Sequence, residues 1–310
     1  MSAPPQNSRA PLSERLGRLL TKEDMGYLDR VSFTTSQRIK GLQTGTHKAR
    51  LRGGTTEFTE HRPYSVGDEV RRLDWRIVGR SDRLEIKLYD DPSILETVIL
   101  MDGSGSMGFT DSVRSKFDFG CSIAAFLSKV ILKERDPLGL LLAKEGAPSM
   151  LRPVASIAQL DEILQILLST RSSGPTRIAE QLRFLTKNLR HPTRVIIVSD
   201  AFFDLESFES EIALLTGRRH RFHLLQTLAP EEISFNYRQP LRFKSLEANE
   251  HLDVNPMDLM ESYLASMERH IAALRRICQH YRAGYEPLVT DQSVGRSMVD
   301  FIARNSDYKS

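Results

Sequence analysis

Apolar and polar residues follow two different periods along most of this chain. Runs with a continuous apolar centre occur at Leu95–Met101, Leu138–Ala143 and Arg194–Ser199. Such runs are typical of strands that are covered on both faces of a sheet. Between them, apolar residues recur every three or four positions in Ile157–Leu168 and Ile178–Leu189, a spacing that predicts helices. The pattern therefore predicts strands that alternate with helices.

This alternation begins near Ser93 and indicates an α/β fold with a doubly wound, mostly parallel sheet. Phe117–Leu132 is apolar on nearly every side, which predicts a central buried helix. In such a sheet, ligands bind at the carboxyl ends of the strands, where the winding changes direction. The remaining predicted elements are a helix at Leu205–Gly217, a strand at Arg221–Leu228, an edge strand at Tyr285–Val289 and a helix at Val294–Arg304.

Local signals mark the ends of two of the predicted helices. Ser156, with Gln159 three residues later, is the pattern of a capping box at a helix start. Asn255 and Pro256 predict the N-cap and first residue of a long helix. That helix continues to about Arg282, and Gly284 is expected to end it.

The N-terminal part of the chain has a different pattern. Ser13–Leu20 and Lys22–Val31 are predicted to be short helices, and glycines recur among short alternating segments in Gly41–Asp91, which indicates small strands and turns. The predicted organisation is a disordered tail at 1–10, an N-terminal helical and β-rich subdomain at 11–92, and an α/β domain with a C-terminal extension at 93–310.

Composition excludes several classes of protein. The chain has 310 residues, of which 40% are hydrophobic and 27% charged, so a globally disordered chain is excluded. Two cysteines cannot form a disulfide framework, and Cys121 and Cys278 are expected to be reduced core residues. No apolar run approaches the roughly 20 residues of a membrane helix, and the first residues lack the apolar core of a signal peptide. We therefore expect a cytoplasmic protein without a membrane span.

The net charge of +3 is small, but basic residues are concentrated near the N-terminus. The first 92 residues contain 17 basic and 13 acidic side chains, and Arg38–Lys87 contains 12 basic and 7 acidic ones. A solvated, arginine-rich surface is the preferred interpretation, and nucleic-acid binding through 38–87 is the alternative. Aromatic residues for base stacking are few in this segment.

Oxygen-bearing side chains follow two of the predicted strands. Asp102, Ser104 and Ser106 come directly after the first strand, and Asp200 ends a later one. Thr176 lies between them, at the start of a predicted helix. If the two strands are neighbours, these side chains converge at one edge of the sheet. Carboxylate and hydroxyl oxygens without cysteine or histidine are suited to a hard divalent cation such as Mg²⁺.

The Asp-Gly-Ser-Gly-Ser sequence, the later threonine and the later aspartate together are similar to the metal-ion-dependent adhesion site of von Willebrand factor A domains. The resemblance implies a von Willebrand factor A-like, Rossmann-like fold. It also implies that Asp102, Ser104, Ser106, Thr176 and Asp200 hold the cation, and that an acidic side chain of a partner completes its coordination. Mg²⁺ is the expected ion, with Mn²⁺ and Ca²⁺ as alternatives.

A second pattern lies upstream of the first strand. It consists of Gly53-Gly54, Glu57-Phe58, Arg62-Pro63-Tyr64, Gly67-Asp68, Arg71, Leu73-Asp74-Trp75 and Arg80. These residues are similar to those of a widespread bacterial and archaeal family of unknown function, domain fifty-eight in its naming series, which carries such an A-type domain. The resemblance implies a partner or client relationship with a MoxR-type AAA+ ATPase, in which the protein acts as an adaptor or co-chaperone.

Enzymatic functions are the remaining alternatives. Gly103–Gly108 also fits the dinucleotide-binding pattern G-x-G-x-x-G. The preceding carboxylate of Asp102 would repel a pyrophosphate, however, and no acidic residue lies about 20 positions later. A metal-dependent hydrolase could use the same acidic cluster, but no general base with a tuned partner is evident. We therefore expect a protein that is not an enzyme.

Overall fold

A computed structural model of the chain describes residues 11–31, 57–63, 79, 85–90, 96–110, 114–144, 146, 148–235, 241–244, 251–254 and 256–305. The chain divides into two compact units. The smaller unit is Phe33–Ile94, and the larger unit combines Met1–Ser32 with Leu95–Ser310.

The helices of the described residues are α1 (Leu12–Leu19), α2 (22–31), α3 (Lys116–Lys133), α4 (Ile157–Ser169), α5 (Ile178–Asn188), α6 (Leu205–Gly217), α7 (Pro230–Ser234), α8 (Pro256–His280) and α9 (Val294–Asn305), with a 3₁₀ helix at Gly105–Gly108. The strands are β1 (Glu57–Pro63), β2 (Glu85–Asp90), β3 (Glu96–Asp102), β4 (Leu138–Ala143), β5 (Met150–Val154), β6 (Thr193–Ser199), β7 (Arg221–Leu228), β8 (Leu241–Lys244), β9 (His251–Val254) and β10 (Gly284–Val289).

The central sheet of the larger unit has six strands in the order β10-β7-β6-β3-β4-β5. All neighbouring pairs are parallel except β4 and β5. The chain runs from β3 to one side of the sheet and then returns to place β6 on the other side of β3. The sheet is therefore doubly wound, as predicted, and the winding reverses between β3 and β6. With helices on both faces of the sheet, it is a Rossmann-like α/β fold.

Alternate residues of the central strands face two separate hydrophobic layers. Ile99 of β3 and Ile196 of β6 pack against α1, α2, α3, α4 and α9. Val98 and Val195, one position earlier, pack against α5, α6 and α8 on the opposite face. Because side chains alternate along a strand, a continuous apolar run is what such a two-sided strand requires.

Helix α3 crosses the sheet closely and is buried along most of its length. A Cβ atom on Gly120 would lie 2.5 Å from Cε of Met101, so any larger residue there would require the Met101 side chain to shift. Ser115 caps the helix by accepting a hydrogen bond from the backbone N–H of Asp118. This packing fixes the start of α3 beside the carboxyl end of the sheet.

Helices α1 and α2 require a correction to the predicted boundaries. We expected residues 11–92 to form one subdomain, but α1 and α2 belong to the larger unit. Leu16, Leu20, Leu28 and Val31 are buried in the same hydrophobic layer as α3. The amphipathic face of two short helices cannot be covered by a small β unit alone, so it packs on the larger core. The predicted tail at 1–10 lies outside the described residues.

In the smaller unit, β1 and β2 form an antiparallel pair with an irregularity between Phe58 and Glu60. These two strands agree with the short strands predicted in Gly41–Asp91. Arg62 of the upstream pattern lies in β1, opposite Ile86. Tyr64, Arg71, Asp74 and Trp75, and most of the basic segment 38–87, lie outside the described residues.

The predicted helix start after Ser156 is confirmed but its capping box is not, and helix α8 ends slightly before the predicted position. Ser156 accepts from the backbone N–H of Gln159 at 3.1 Å, but the Gln159 amide donates to the carbonyls of Leu138 and Arg152 instead of closing a capping box. Helix α8 ends at His280, and Arg282 has a φ of 53°. Gly284 therefore begins β10 rather than ending the helix. Strand β10 lies at the edge of the sheet, as predicted.

Candidate metal centre

The carboxyl ends of β3 and β6 lie side by side. Met101 of β3 is opposite Val198 of β6, so Asp102 and the Ser199–Asp200 pair leave the sheet at adjacent positions. The predicted convergence of these side chains required the two strands to be neighbours, and the strand order shows that they are. The point where the winding reverses therefore carries the two carboxylates.

Asp102 is fully buried and receives hydrogen bonds from neutral groups. Its Oδ1 accepts from the backbone N–H of Ser104 at 2.9 Å, and its Oδ2 accepts from the Ser199 hydroxyl at 2.5 Å. Burial, followed by the nearby charge of Asp200, raises the pKa of Asp102 to about 6, although the hydrogen bonds oppose this shift. A buried carboxylate in this state would be stabilised by a cation.

The hydroxyls of Ser104 and Ser106 are hydrogen-bonded to each other, with their oxygens 3.1 Å apart. An octahedral Mg²⁺ ion with ligands at about 2.1 Å places adjacent ligand oxygens about 3.0 Å apart. The two hydroxyls therefore have the separation of one edge of such an octahedron. Their position beside Asp102 fits a hard cation.

A third loop is attached to the Asp102–Ser106 turn through its backbone. The N–H of Gly105 donates to the carbonyl of Gly174 at 2.7 Å, and the N–H of Ser173 donates to the carbonyl of Gly103 at 2.8 Å. Thr176 follows in this loop and is half-buried. The structure thus places the Thr176 loop on the same edge of the sheet as Asp102 and Asp200.

Asp200 is also fully buried, and an unusual backbone conformation follows it. Ala201 has a φ of 60°, which is uncommon for a residue with a Cβ atom. Three contacts hold this turn: the Ser199 hydroxyl accepts from the Ala201 N–H, the Gln226 amide donates to the Asp200 carbonyl, and His270 Nε2 lies 2.8 Å from the Ala201 carbonyl. The turn fixes where the Asp200 carboxylate lies.

Lys116 is a site residue that sequence reasoning missed. It is 1% exposed, and its Nζ lies 2.8 Å from Oδ2 of Asp200 and 2.7 Å from Oε1 of Glu232. The sequence did indicate that Lys116 needs an acidic partner. A lysine in the first turn of an apolar helix opposes the helix dipole, and a buried lysine is usually paired. The identity of the partners could not be obtained from that signal.

Glu232 connects this lysine to α7. Its second carboxylate oxygen accepts from the backbone N–H of Ala229 at 2.8 Å. Burial raises the pKa of Glu232, and the charge of Lys116 opposes that shift. Phe235, which follows α7, stacks on Tyr263 of α8 with ring centroids 4.6 Å apart. Glu232 is therefore held in a packed segment.

The donor set at this edge consists of two carboxylates and hydroxyl oxygens. Across the ranges that the structure describes, no group of three or more histidine, cysteine, aspartate or glutamate side chains is placed to hold a metal. A cation here would be bound mainly by neutral oxygens, as Mg²⁺ sites with few protein carboxylates are. Asp102, Ser104 and Ser106 fit such an ion, and Thr176 and Asp200 lie at the same edge.

None of the helices in the described parts of the chain is both long enough and apolar enough to cross a bilayer.

Known proteins resemble this chain in part of its sequence or structure. An uncharacterized protein of Mycobacterium tuberculosis is 23% identical over 279 residues, which cover 88% of this chain and 87% of the relative. The crystal structure of the conserved hypothetical protein BatB from Bacteroides thetaiotaomicron is 14% identical, with a TM-score of 0.43, and the match covers 69% of this chain and 99% of BatB. A von Willebrand factor type A structure from Catenulispora acidiphila is 13% identical with a TM-score of 0.40, over 71% of this chain and 43% of that one.

The sequence pattern of one family matches residues 60–272, which is more than half of the chain. This match extends from the smaller unit through the sheet and into α8. The upstream residues from Arg62 onward and the Asp102–Ser106 turn both fall within it. The chain belongs to the family described as protein of unknown function DUF58.

Proposed function

We propose that this protein is a non-enzymatic interaction module that captures a carboxylate of a partner protein through a bound Mg²⁺ ion. The observation that carries the proposal is the pair of hydroxyl oxygens of Ser104 and Ser106, 3.1 Å apart, beside the buried carboxylate of Asp102. The fold supports it, because this edge of a doubly wound sheet is where ligands bind.

Each site residue has a separate role in this proposal. Ser104, Ser106 and Thr176 would hold the cation directly through their hydroxyls. Asp102 and Asp200 would supply negative charge, directly or through water. When bound, the cation supplies an electrophilic position for an external carboxylate, because few protein charges neutralise it. Ser199 keeps Asp102 oriented by donating to its Oδ2.

The proposed partner is a MoxR-type AAA+ ATPase or its client, with this protein as an adaptor or co-chaperone. The family resemblance supports this assignment. The chain itself has no G-x-x-x-x-G-K-[ST] sequence, so a Walker-type ATP site would have to come from the partner. The cytoplasmic location expected from the sequence stays a prediction.

Asp102→Ala tests the proposal. The purified MoxR-type ATPase of the same organism would be captured on immobilised protein with Mg²⁺ or with EDTA. We expect capture by the wild type in Mg²⁺ only, and a loss of at least about 100-fold in Mg²⁺ affinity for Asp102→Ala, because the variant removes one of the few negative charges at the site. Binding of the ion itself is measured by isothermal titration calorimetry.

Glu206→Ala is the matched control, since Glu206 is an exposed carboxylate in the first turn of α6. It should capture the ATPase as the wild type does. Equal capture in EDTA, or undiminished capture by Asp102→Ala, would contradict the metal-dependent mechanism.

A further inference from the structure

The buried ammonium group of Lys116 forms an ion pair with Asp200, one of the two carboxylates of the candidate metal centre. Lys116 is 1% exposed and Asp200 is fully buried, and their charged atoms are 2.8 Å apart. The Lys116 ammonium also lies against two aromatic rings, 5.0 Å from the centroid of Phe202 and 5.7 Å from that of Phe109. Because both charged side chains are buried, the interaction between them is weakly screened.

A divalent cation and this ammonium would have to share Asp200. Oδ2 of Asp200 is taken by Lys116, and Oδ1 receives the backbone N–H of Phe202 at 3.3 Å. A cation that uses Asp200, directly or through water, would lie within a few ångströms of a second positive charge. Like charges that close repel strongly in a buried site. Loading of the site therefore requires the ammonium to move away from Asp200.

Glu232 is placed to hold the ammonium after that movement. Its Oε1 already lies 2.7 Å from Nζ of Lys116. Its Oε2 is fixed by the backbone N–H of Ala229, so the carboxylate stays in place when Lys116 shifts. A lysine side chain with flexible torsions needs only a small rotation to give up one of two partners.

We propose that Lys116 determines the cation affinity of this site by competing with the divalent ion for Asp200, with Glu232 as the partner that retains the displaced ammonium. This inference rests on the proposed function, because it requires the site to bind a divalent cation. In this proposal Lys116 and Glu232 are positioning residues that act through Asp200. Without the divalent cation, Lys116 is paired with Asp200.

The test is calorimetric titration of the full-length protein with MnCl₂ and with MgCl₂. Lys116→Met should bind either ion at least about tenfold more tightly, because the competing charge is gone. Glu232→Gln should bind either ion at least about threefold more weakly. Among the described contacts, the Lys116 ammonium then has only Asp200 as a charged partner and competes more strongly for it. Lys133→Met, which removes an exposed lysine from the same helix, should stay within about twofold of the wild type.

The double variant Lys116→Met/Glu232→Gln distinguishes two effects of Glu232. One acts through the competing Lys116 ammonium, and the other is direct electrostatic attraction of the cation. If Glu232 acts through Lys116, the double variant binds as tightly as Lys116→Met. If the loss caused by Glu232→Gln persists without the lysine, Glu232 acts directly on the cation and the inference is overturned.

The outcomes distinguish this inference from the proposal on which it rests. Lys116→Met that binds no more tightly than Lys133→Met overturns the inference and leaves the metal site standing. Absence of Mn²⁺ and Mg²⁺ binding in the wild type and all variants overturns both. Thermal unfolding in EDTA checks that each variant is folded. Should Lys116→Met fail to fold, Glu232→Gln decides, and unchanged or tighter binding by it overturns the inference.

Discussion

The two ends of the parallel strands bury polar side chains of different kinds. At the carboxyl ends, Asp102 and Asp200 are buried carboxylates, and Lys116 is a buried ammonium group. At the amino ends, two histidines are buried. The backbone N–H of Thr193 donates to Nδ1 of His220, and that of Gly284 donates to Nδ1 of His223, both at 3.2 Å.

The histidines are suited to a purely structural role. A ring nitrogen that accepts a hydrogen bond carries no proton, so both rings satisfy a buried backbone donor in the neutral form. Burial, followed by the charges of Arg194 and Arg221, lowers the pKa of His223 to about 4. These two histidines thus satisfy the backbone at the amino ends without being charged themselves.

The carboxyl ends retain charges that the fold itself does not require. Burying an ion costs stability unless a partner compensates it. Asp200 has Lys116 as such a partner, whereas the hydrogen bonds described for Asp102 come from neutral donors. The contrast supports the proposal that the carboxyl end of the sheet binds a ligand, and substitutions at both ends test it.

Asp200→Asn should give the largest effect. The variant leaves the Lys116 ammonium buried with one charged partner fewer, which typically costs about 3 kcal/mol or more. Urea unfolding at pH 7 in EDTA measures the loss. Glu180→Gln breaks the exposed Arg177–Glu180 pair and should cost less than about 0.5 kcal/mol. Equal losses in the two variants would contradict the distinction between buried and exposed charges.

Acidification should weaken the amino end by about 3 kcal/mol through His223. Its pKa is lowered from 6.5 to about 4 in the folded protein, so the unfolded chain binds the proton more readily. The stabilising contribution is fully present above pH 6.5 and is lost as the pH falls to 4. His223→Gln can still accept from Gly284, and its unfolding free energy should depend less on pH in this window. Parallel pH profiles of the variant and the wild type would refute this assignment.

Asp102→Asn should have the smallest effect on the protein without metal, and the opposite sign to Asp200→Asn. Removing a buried charge that is held by neutral donors should stabilise the protein by about 1–2 kcal/mol at pH 8 in EDTA. With Mg²⁺ added, only the wild type should gain stability, because only it binds the ion. Thermal unfolding with and without Mg²⁺ provides the measurement, and a lower melting temperature of the variant in EDTA would speak against it.

Much of the fold could be predicted from local patterns. The bounds of β4, α6 and β7 agree with the predicted elements at Leu138–Ala143, Leu205–Gly217 and Arg221–Leu228. Strand β5 was missed, since Met150–Val154 is short, contains Pro153 and pairs antiparallel at an edge. The β8–β9 hairpin was missed as well, because four-residue strands give too few positions for a period to be recognised.

The residues of the candidate site were predicted from the sequence, but their arrangement in space was not. The sequence singled out Asp102, Ser104, Ser106, Thr176 and Asp200, and the structure shows that β3 and β6 are neighbours and that the connecting loops are hydrogen-bonded. Cation binding by these residues stays a prediction. The grouping of α1 and α2 was wrong, because a helix pattern reveals an apolar face but not the surface that covers it.

Local periodicity was sufficient to locate most of the strands and helices and the side of each that faces a core, because it depends on neighbouring residues along the chain. Which charges meet depends on the tertiary structure. Lys116 is separated by 84 residues from Asp200 and by 116 from Glu232. Their contact follows from the packing of α3 against the centre of the sheet, and no local pattern encodes a distance between segments so far apart.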